Sequence, residues 1–310
     1  MDEKIETTSV EATLNSQTDS VIQTRNSSPA GNDNQEIFVV PPDLFDKKGR
    51  TLSVINQKGG CGKTTTAVNL AAGLAKEGFK VLLIDLDAQA NATLGHGLRL
   101  GDDEKTVYDL FKHDSISPEE VIRATSTENV WLLPASRLLS DLAVELLEAK
   151  NWEYHLRSFV QPLKPNYHYI LIDCPPALNA LTVNALTASD EMIIPLQTHY
   201  FSLEGMKELF LTVHAVQEKL NPFLKNGLIL PTLFDSRPKI TREMLQSVRD
   251  YFKDQVFETV IHVNIRLVES LMHGQSVFSY DPRSRGAKDY EAFARELIKK
   301  DALVFTARIS

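Results

Sequence analysis

The sequence predicts an α/β fold: a doubly wound, mostly parallel sheet with helices on both faces. Short, continuously apolar segments alternate with longer segments whose apolar residues recur at helical spacing. Continuous apolar strands are typical of parallel sheets, because both faces of each strand are covered. Glycine-rich and acidic motifs follow several of these strands directly, at the edge where such sheets bind ligands.

The elements of this alternation can be assigned in chain order. The predicted strands are Leu52–Ile55, Val81–Asp85, Val130–Leu133, Tyr169–Asp173, Met192–Leu196, Leu228–Leu233 and Val256–Ile261. The predicted helices are Thr64–Lys76, Leu138–Leu147, Trp152–Val160, Ala180–Ala188, Leu203–Leu220, Thr241–Phe252 and Asp289–Lys300. No internal repeat is found, so we expect one large domain.

The bulk composition indicates an intracellular globular protein. The chain has 310 residues, of which 43% are hydrophobic and 24% are charged. No apolar run approaches the ~20 residues of a membrane span, and no signal peptide pattern precedes the domain. The two cysteines, Cys61 and Cys174, suit a reducing compartment. We therefore expect a cytoplasmic location.

The N-terminal segment differs in composition from the rest of the chain. Residues 1–36 are rich in small polar and acidic side chains, which predicts a disordered tail. An apolar island at residues 37–45 is interpreted as a linker that covers a surface groove. We place the tail at residues 1–48 and the folded domain at 49–310. Residues 1–40 carry −5 of the total charge of −8, so any DNA-binding surface must be a local patch.

A glycine loop follows the first predicted strand and precedes the first predicted helix. Residues 56–66 read Asn-Gln-Lys-Gly-Gly-Cys-Gly-Lys-Thr-Thr-Thr. Glycines let backbone N–H groups close around phosphate oxygens, and the helix N-terminus favours negative charge. Lys63 is expected on the β- and γ-phosphates of ATP and the Thr64 hydroxyl on Mg²⁺. The predicted nucleotide-binding residues are Lys58, Gly59, Gly60, Cys61, Gly62, Lys63, Thr64 and Thr65.

This loop and the segment after the second strand carry a family resemblance. The loop has lysines at both ends of Lys58–Lys63, and residues 81–93 read Val-Leu-Leu-Ile-Asp-Leu-Asp-Ala-Gln-Ala-Asn-Ala-Thr. Both resemble the ParA/MinD family of deviant Walker A P-loop ATPases, and most closely its ParA (Soj-like) branch. The resemblance covers about residues 50–300 and implies ATP hydrolysis with Mg²⁺.

The resemblance also implies roles for three acids. Asp87 would position or activate the attacking water and lie near the metal, and Asp85 would lie near the magnesium shell. Asp173, at the end of a second acid-tipped strand, resembles the Walker B aspartate and would hold Mg²⁺ through a water molecule. Ala88 stands where proline is commoner, which is expected to loosen the loop slightly.

Lys58 is the signature lysine of the family. By resemblance it reaches across an ATP-dependent homodimer into the partner's nucleotide, where a cation stabilises the charge of the transition state. Lys58, Lys63 and Asp87 are therefore the expected catalytic residues. Loss of Lys58 is expected to abolish ATP-driven dimerisation, whereas loss of Lys63 should weaken nucleotide binding itself.

The C-terminal third resembles the DNA-binding part of the Soj-like branch. Arg237 and Arg266 match arginines that contact DNA there, and Asn264 is expected at the adenine edge. His262 and Val263 stand where that branch usually has Pro-Arg, which removes one basic residue and a rigid turn near the expected adenine edge. Residues 235–290 hold nine basic and eight acidic residues, so DNA binding rests mainly on the resemblance.

Four functions stay open at this stage. The first is a nucleoid-associated ATPase that segregates chromosome or plasmid DNA with a ParB-type partner. The second is a MinD-like membrane-positioning ATPase, disfavoured because the apolar stripe of the last helix fits core packing. A third is a ParA-like ATPase that positions a protein cargo, and a fourth is a metabolic P-loop enzyme with a small-molecule acceptor.

Overall fold

The computed structural model describes residues 49–101, 103–198 and 204–309. The tail predicted for residues 1–48, with its apolar island at 37–45, lies outside the described residues. Residues Lys47–Glu296 group into one compact unit that holds every site discussed below. The division into a tail and a domain beginning at residue 49 stays a prediction.

Seven strands form one sheet in the described part of the chain. They are β1 (Arg50–Val54), β2 (Val81–Asp85), β3 (Arg123–Ala124), β4 (Val130–Leu133), β5 (Tyr169–Asp173), β6 (Glu191–Gln197) and β7 (Leu228–Thr232). Their order across the sheet is β3-β4-β2-β5-β1-β6-β7. All neighbouring pairs are parallel except β3 with β4. This confirms the predicted mostly parallel sheet.

The α-helices lie between the strands along the chain, and the last four follow β7. They are α1 (Lys63–Lys76), α2 (Asn91–Gly95), α3 (Val107–Lys112), α4 (Pro118–Val121), α5 (Leu139–Glu145), α6 (His155–Val160), α7 (Ala180–Ala188), α8 (Glu204–Lys219), α9 (Lys239–Phe252), α10 (Ile265–Met272), α11 (Val277–Tyr280) and α12 (Arg285–Ile309). Every residue of β2 and β5 is buried although alternate side chains point to opposite faces. Both faces of the sheet are therefore covered.

One predicted strand is wrong. Residues 256–261 form no strand; the structure has two isolated bridges in and next to this segment, Ile229 with Val256 and Phe234 with His262. The segment runs beside β7 and donates from the Phe257 N–H to the Ile229 carbonyl at 2.9 Å. Its apolar residues are buried, so the pattern reported burial correctly but not pairing. Short helices such as α2 and α10 were not predicted.

The last helix shows which interpretation of its apolar stripe holds. Tyr290, Phe293, Leu297 and Ile298 are all buried. The Phe293 ring meets the Phe257 ring edge-on at 4.8 Å, and the Tyr290 hydroxyl lies 3.1 Å from the Thr66 hydroxyl on α1. The stripe therefore packs within the protein, as expected. No described helix combines the length and the apolar character that crossing a bilayer requires.

Candidate nucleotide site

Three adjacent strands bring the predicted motifs to one edge of the sheet. β5 lies between β1 and β2, and Asp173 pairs in register with Val54 on one side and Asp85 on the other. Because parallel strands end at a common edge, the glycine loop after β1 and the acids of β2 and β5 meet there. The structure thus brings together the groups that the motifs predicted as one site.

The glycine loop closes through two left-handed residues. Gly60 has φ +72° and Gly62 has φ +94°, a region that side chains rarely adopt. Gly62 is the N-cap of α1, and its carbonyl accepts from the Thr66 N–H at 2.8 Å. Thr64 and Thr65 then occupy the first turn of the helix. The N-terminal N–H groups of α1 therefore end the loop, as phosphate binding requires.

Polar side chains outside the motif hold this loop in place. The Asn56 amide donates to the Pro195 carbonyl at 2.8 Å, and its oxygen accepts from the Lys58 N–H at 3.0 Å. The Thr232 hydroxyl donates to the Cys61 carbonyl at 2.8 Å. Sequence reasoning missed both positioning residues. Asn56 lies inside the quoted motif, whereas Thr232 comes from β7 and gives no local signal.

The two lysines of the loop lie in different environments. Lys63 is 7% exposed, and its Nζ donates to the Lys58 carbonyl at 3.1 Å. The Lys58 side chain is exposed, as are Gly59 and Gly60. The ammonium of Lys63 is thus held inside the loop, while that of Lys58 lies on the outer surface. This arrangement suits one lysine that acts within the subunit and one that acts outside it.

Asp85 organises the loop that carries Asp87. One carboxylate oxygen accepts from the Asp87 N–H at 3.1 Å; the other accepts from the Thr93 N–H at 2.8 Å and hydroxyl at 2.7 Å. The Thr93 hydroxyl also accepts from the Ala135 N–H at 3.0 Å. Burial raises the pKa of Asp85 to about 6, although the hydrogen bonds from Thr93 act in the opposite direction and lower it. Both oxygens of Asp85 therefore take part in positioning the loop, and its expected place near the magnesium shell stays a prediction.

Asp173 has the environment of a metal-associated carboxylate. It is fully buried, and neither carboxylate oxygen has a hydrogen-bond partner among the described residues. Burial, and then the Asp85 charge, raise its pKa well above the usual range; the neighbouring Thr64 hydroxyl and Lys63 oppose this in part. A bound cation would give these oxygens a partner and compensate their negative charge. The residues therefore fit Mg²⁺, which binds through one or two carboxylates, water and phosphate.

The segment after β7 places Asn264 and Arg266. The Asn264 oxygen caps α10 by accepting from the Arg266 N–H at 2.9 Å. This cap leaves the Asn264 amide nitrogen as the group that could contact an adenine. The His262 bridge to Phe234 fixes the segment beside β7, whose Thr232 holds the phosphate loop. Asn264 follows His262 by two residues, and His262 is bridged to the chain just after β7, the strand that contacts the glycine loop.

The two predicted DNA arginines are both ion-paired. Arg237 bonds Asp235 through Nη2 at 2.7 Å and Nε at 2.9 Å, and this lowers the pKa of Asp235 to about 2. Arg266 bonds Glu269 at 2.7 Å and lies 3.3 Å from Asp281. Phosphate would have to compete with these carboxylates. The i,i+3 spacing of Arg266 and Glu269 is the sequence signal that could have indicated one of these pairs.

The helix after the Asp87 loop packs closely against α10. Gly274, which follows α10, lies so near Gly97 that a Cβ on Gly274 would be 2.7 Å from the Gly97 Cα. Only glycine allows this approach of two backbones. The segment that carries Asp87 is therefore in contact with the segment that carries Arg266.

Comparison with known proteins agrees with this geometry. Residues 49–226, more than half of the chain, match the family described as "AAA domain". The chain is 45% identical over 249 residues to "Sporulation initiation inhibitor protein Soj" of Bacillus subtilis, which covers 80% of this chain and 98% of that protein. It is 44% identical to "Chromosome partitioning protein ParA" of Myxococcus xanthus, covering 82% and 89%.

Solved structures share the fold. The structure of "Cobyrinic Acid a,c-diamide synthase from Mycobacterium smegmatis with bound ATP analog and Magnesium" superposes with a TM-score of 0.71 at 32% identity. It covers 81% of this chain and 95% of that one. Sequence identity to the partitioning proteins is higher and extends over nearly their whole length. The chain belongs to the ParA/Soj family of P-loop ATPases.

Proposed function

We propose that this ATPase dimerises when it binds ATP and Mg²⁺, binds duplex DNA without sequence preference, and segregates chromosome or plasmid DNA with a ParB-type partner. The observation that carries the proposal is that the Lys63 side chain is buried within the loop, whereas the Lys58 side chain is exposed. The relatives named for chromosome partitioning, over nearly their full length, supply the biological setting.

Nucleotide binding would change what Lys63 contacts. Its ammonium is bonded to a single carbonyl, that of Lys58, at 3.1 Å. An ATP phosphate offers this buried cation a charged acceptor, which gives a stronger hydrogen bond than a neutral carbonyl. Transfer of Lys63 to the phosphates would release the Lys58 peptide. The exposed Lys58 side chain would then reach a second subunit.

The remaining roles at the site belong to one threonine, two acids and the partner's lysine. Thr64 and Asp173 would hold Mg²⁺, which neutralises charge on the β- and γ-phosphate oxygens when bound. Asp87 is half-buried beside them and would orient the attacking water. Its N–H bond to Asp85 fixes its backbone, and its own carboxylate accepts from the Gln89 N–H at 3.0 Å. Lys58 of the partner subunit would add positive charge in the transition state.

DNA binding would use cations on the segments around α10. Arg237 and Arg266 are exposed enough to meet phosphate oxygens, with side chains 89% and 48% accessible. Contacts of this kind read no sequence and weaken as salt rises. Two copies of the surface in a dimer would raise the affinity through valency, which makes DNA binding depend on ATP.

The test measures mass and DNA binding on one sample of the full chain. We expect a mass near 34.7 kDa with ADP and near twice that with a nonhydrolysable ATP analogue and Mg²⁺. Fluorescence anisotropy with a mixed-sequence duplex should show binding only with the ATP analogue, weaker at 200 mM than at 50 mM salt. Equal DNA affinity with both nucleotides would contradict the proposal.

A vesicle-pelleting experiment tests the alternative function, a MinD-like ATPase that binds membranes. Pelleting of the chain with anionic lipid vesicles and the ATP analogue, without DNA, would favour the MinD-like function. We expect the chain to stay in the supernatant, because the apolar stripe of α12 is buried.

A further inference from the structure

We call the surface around Arg237, Arg266, Arg283 and Arg285 the C-terminal surface. Its arginines differ in how closely carboxylates compensate their charge. Arg237 meets Asp235 through two nitrogens, and Arg266 meets Glu269 and Asp281. Each of these guanidinium groups has a carboxylate within 2.7 Å. A DNA phosphate must displace that carboxylate before it gains the full interaction.

Arg285 has a longer ion pair than Arg237 and Arg266 have, and its closest partner is a histidine ring. Its Nη2 donates to His262 Nε2 at 2.9 Å, and its Nε lies 3.9 Å from the Asp289 carboxylate. The side chain is 64% exposed. The close partner of Arg285 is thus an uncharged ring nitrogen, and the nearest carboxylate lies beyond hydrogen-bond distance.

The hydrogen-bond chemistry fixes the state of His262. A guanidinium can only donate, so Nε2 must accept and the ring proton must lie on Nδ1. Nδ1 lies 2.9 Å from an Asp289 oxygen that also accepts the His262 N–H at 2.9 Å. The Phe234 ring meets the imidazole edge-on at 5.5 Å. Two hydrogen bonds and one ring contact therefore hold the imidazole that orients Arg285.

Arg283 shows what the surface looks like without such a support. It is exposed, and its guanidinium has no ion pair with any residue that the structure describes. Its charge is available, but nothing fixes its rotamer, so ordering it on a phosphate costs side-chain entropy. Arg285 combines a charge that its carboxylate neighbour compensates only at 3.9 Å with a fixed direction, and pre-organised contacts bind more tightly.

We propose that Arg285 binds a backbone phosphate of duplex DNA and that His262 is the positioning residue that aims it. This proposal rests on the proposed DNA-binding function and names a cation that the sequence did not single out. His262 is one of the two positions where the chain departs from the Pro-Arg of the Soj-like branch. The departure therefore supplies an acceptor for Arg285 and does not only remove a basic residue.

The first test compares two arginine variants in the full chain with the ATP analogue and Mg²⁺. Affinity for a mixed-sequence duplex is measured by anisotropy between 50 and 200 mM salt. Arg285→Ala should weaken binding about tenfold and reduce the salt slope by about one per chain, because one phosphate contact is lost. Arg295→Ala, whose guanidinium is paired with Glu77 and Glu291 at 2.9 Å and has no role in the proposed DNA contact, is the matched control and should change affinity less than about twofold.

The second test isolates the positioning role. In His262→Asn the amide nitrogen can replace Nδ1 as the donor to Asp289, but the shorter side chain leaves no acceptor at the position of Nε2. We expect this variant to lose about threefold in DNA affinity and to dimerise normally with the ATP analogue. Combined with Arg285→Ala, it should add no further loss, because its effect acts through Arg285. Arg285→Lys should recover part of the salt slope.

The outcomes separate this inference from the function it rests on. A wild-type chain that binds no duplex with the ATP analogue overturns DNA binding altogether, and this proposal with it. A wild type that binds DNA while Arg285→Ala has unchanged affinity and salt slope overturns the assignment of Arg285 alone. Additive losses in the double variant overturn the positioning role of His262, even if Arg285 contacts DNA.

Discussion

The nucleotide edge and the C-terminal surface encode function in different ways. At the nucleotide edge Lys63, Asp85 and Asp173 are buried, and contacts within the fold position the loops there, such as that of Asp85 with Thr93. On the C-terminal surface the arginines are exposed, and their partners are other side chains. Buried groups leave a motif in the sequence, whereas the value of a surface charge depends on its neighbours in space.

The largest effect on function is expected when the buried cation of the nucleotide edge is removed. Lys63→Ala deletes a buried ammonium that would make about two charge-assisted hydrogen bonds to phosphate, worth about 4 kcal/mol together. We expect ATP affinity to fall roughly 1,000-fold, measured by calorimetry. The control Lys80→Ala, an exposed lysine before β2, should leave ATP affinity unchanged. Equal ATP affinity of Lys63→Ala and wild type would remove the role assigned to Lys63.

His96 tests the buried region through pH. It follows α2 and is 2% exposed, neither ring nitrogen has a partner in the described part of the chain, and burial lowers its pKa to about 4. The unfolded chain binds this proton near pH 6.5, so stability should fall as pH drops from 6.5 to 4, by about 3 kcal/mol. Urea unfolding of wild type and His96→Leu at pH 7, 5.5 and 4.5 measures this.

The His96→Leu variant should lack that component of the pH dependence and be at least as stable at pH 7. His214→Gln, a change at an exposed histidine on α8, is the control. Parallel pH profiles for His96→Leu and wild type would show that His96 is protonated without cost in the folded chain.

A smaller effect is expected from one hydroxyl of the nucleotide edge. Thr93→Val keeps the shape of the side chain but removes the bond to Asp85 and the acceptor of the Ala135 N–H. We expect a loss of about 2 kcal/mol and a melting temperature lower by roughly 5 °C. Thr212→Val, which loses a bond on the exposed side of α8, should melt within about 1 °C of wild type. Similar melting of both variants would contradict the positioning role of Thr93.

The smallest effect should be found on the C-terminal surface. Arg237→Ala breaks an exposed ion pair, and such pairs contribute little because water screens them. The melting temperature should stay within about 1 °C of wild type. A marked loss of thermal stability would mean that this surface is as tightly coupled to the fold as the nucleotide edge.

The extent of sequence prediction follows the same division. The continuous apolar strands and the motifs at their ends predicted the sheet, the glycine loop and the acids at β2 and β5, because burial on two faces leaves a continuous apolar run. The segment 256–261 was predicted as a strand because apolar residues report burial, not pairing. Thr232 and Tyr290 could not be predicted as partners of α1 and its loop, since tertiary contacts between distant segments have no local signal. The ion pairs of Arg237 with Asp235 and of Arg266 with Glu269 are local, so their spacing could have indicated them, whereas the contact of Arg266 with Asp281 could not be predicted in this way.

The most direct test of the proposed function is the mass of Lys58→Ala in solution with a nonhydrolysable ATP analogue and Mg²⁺. Light scattering should give a mass near 34.7 kDa for this variant, while wild type and the control Lys80→Ala reach twice that value. Calorimetry on the same sample should show that Lys58→Ala still binds the analogue. A Lys58→Ala chain that dimerises as readily as wild type would contradict a lysine acting between subunits.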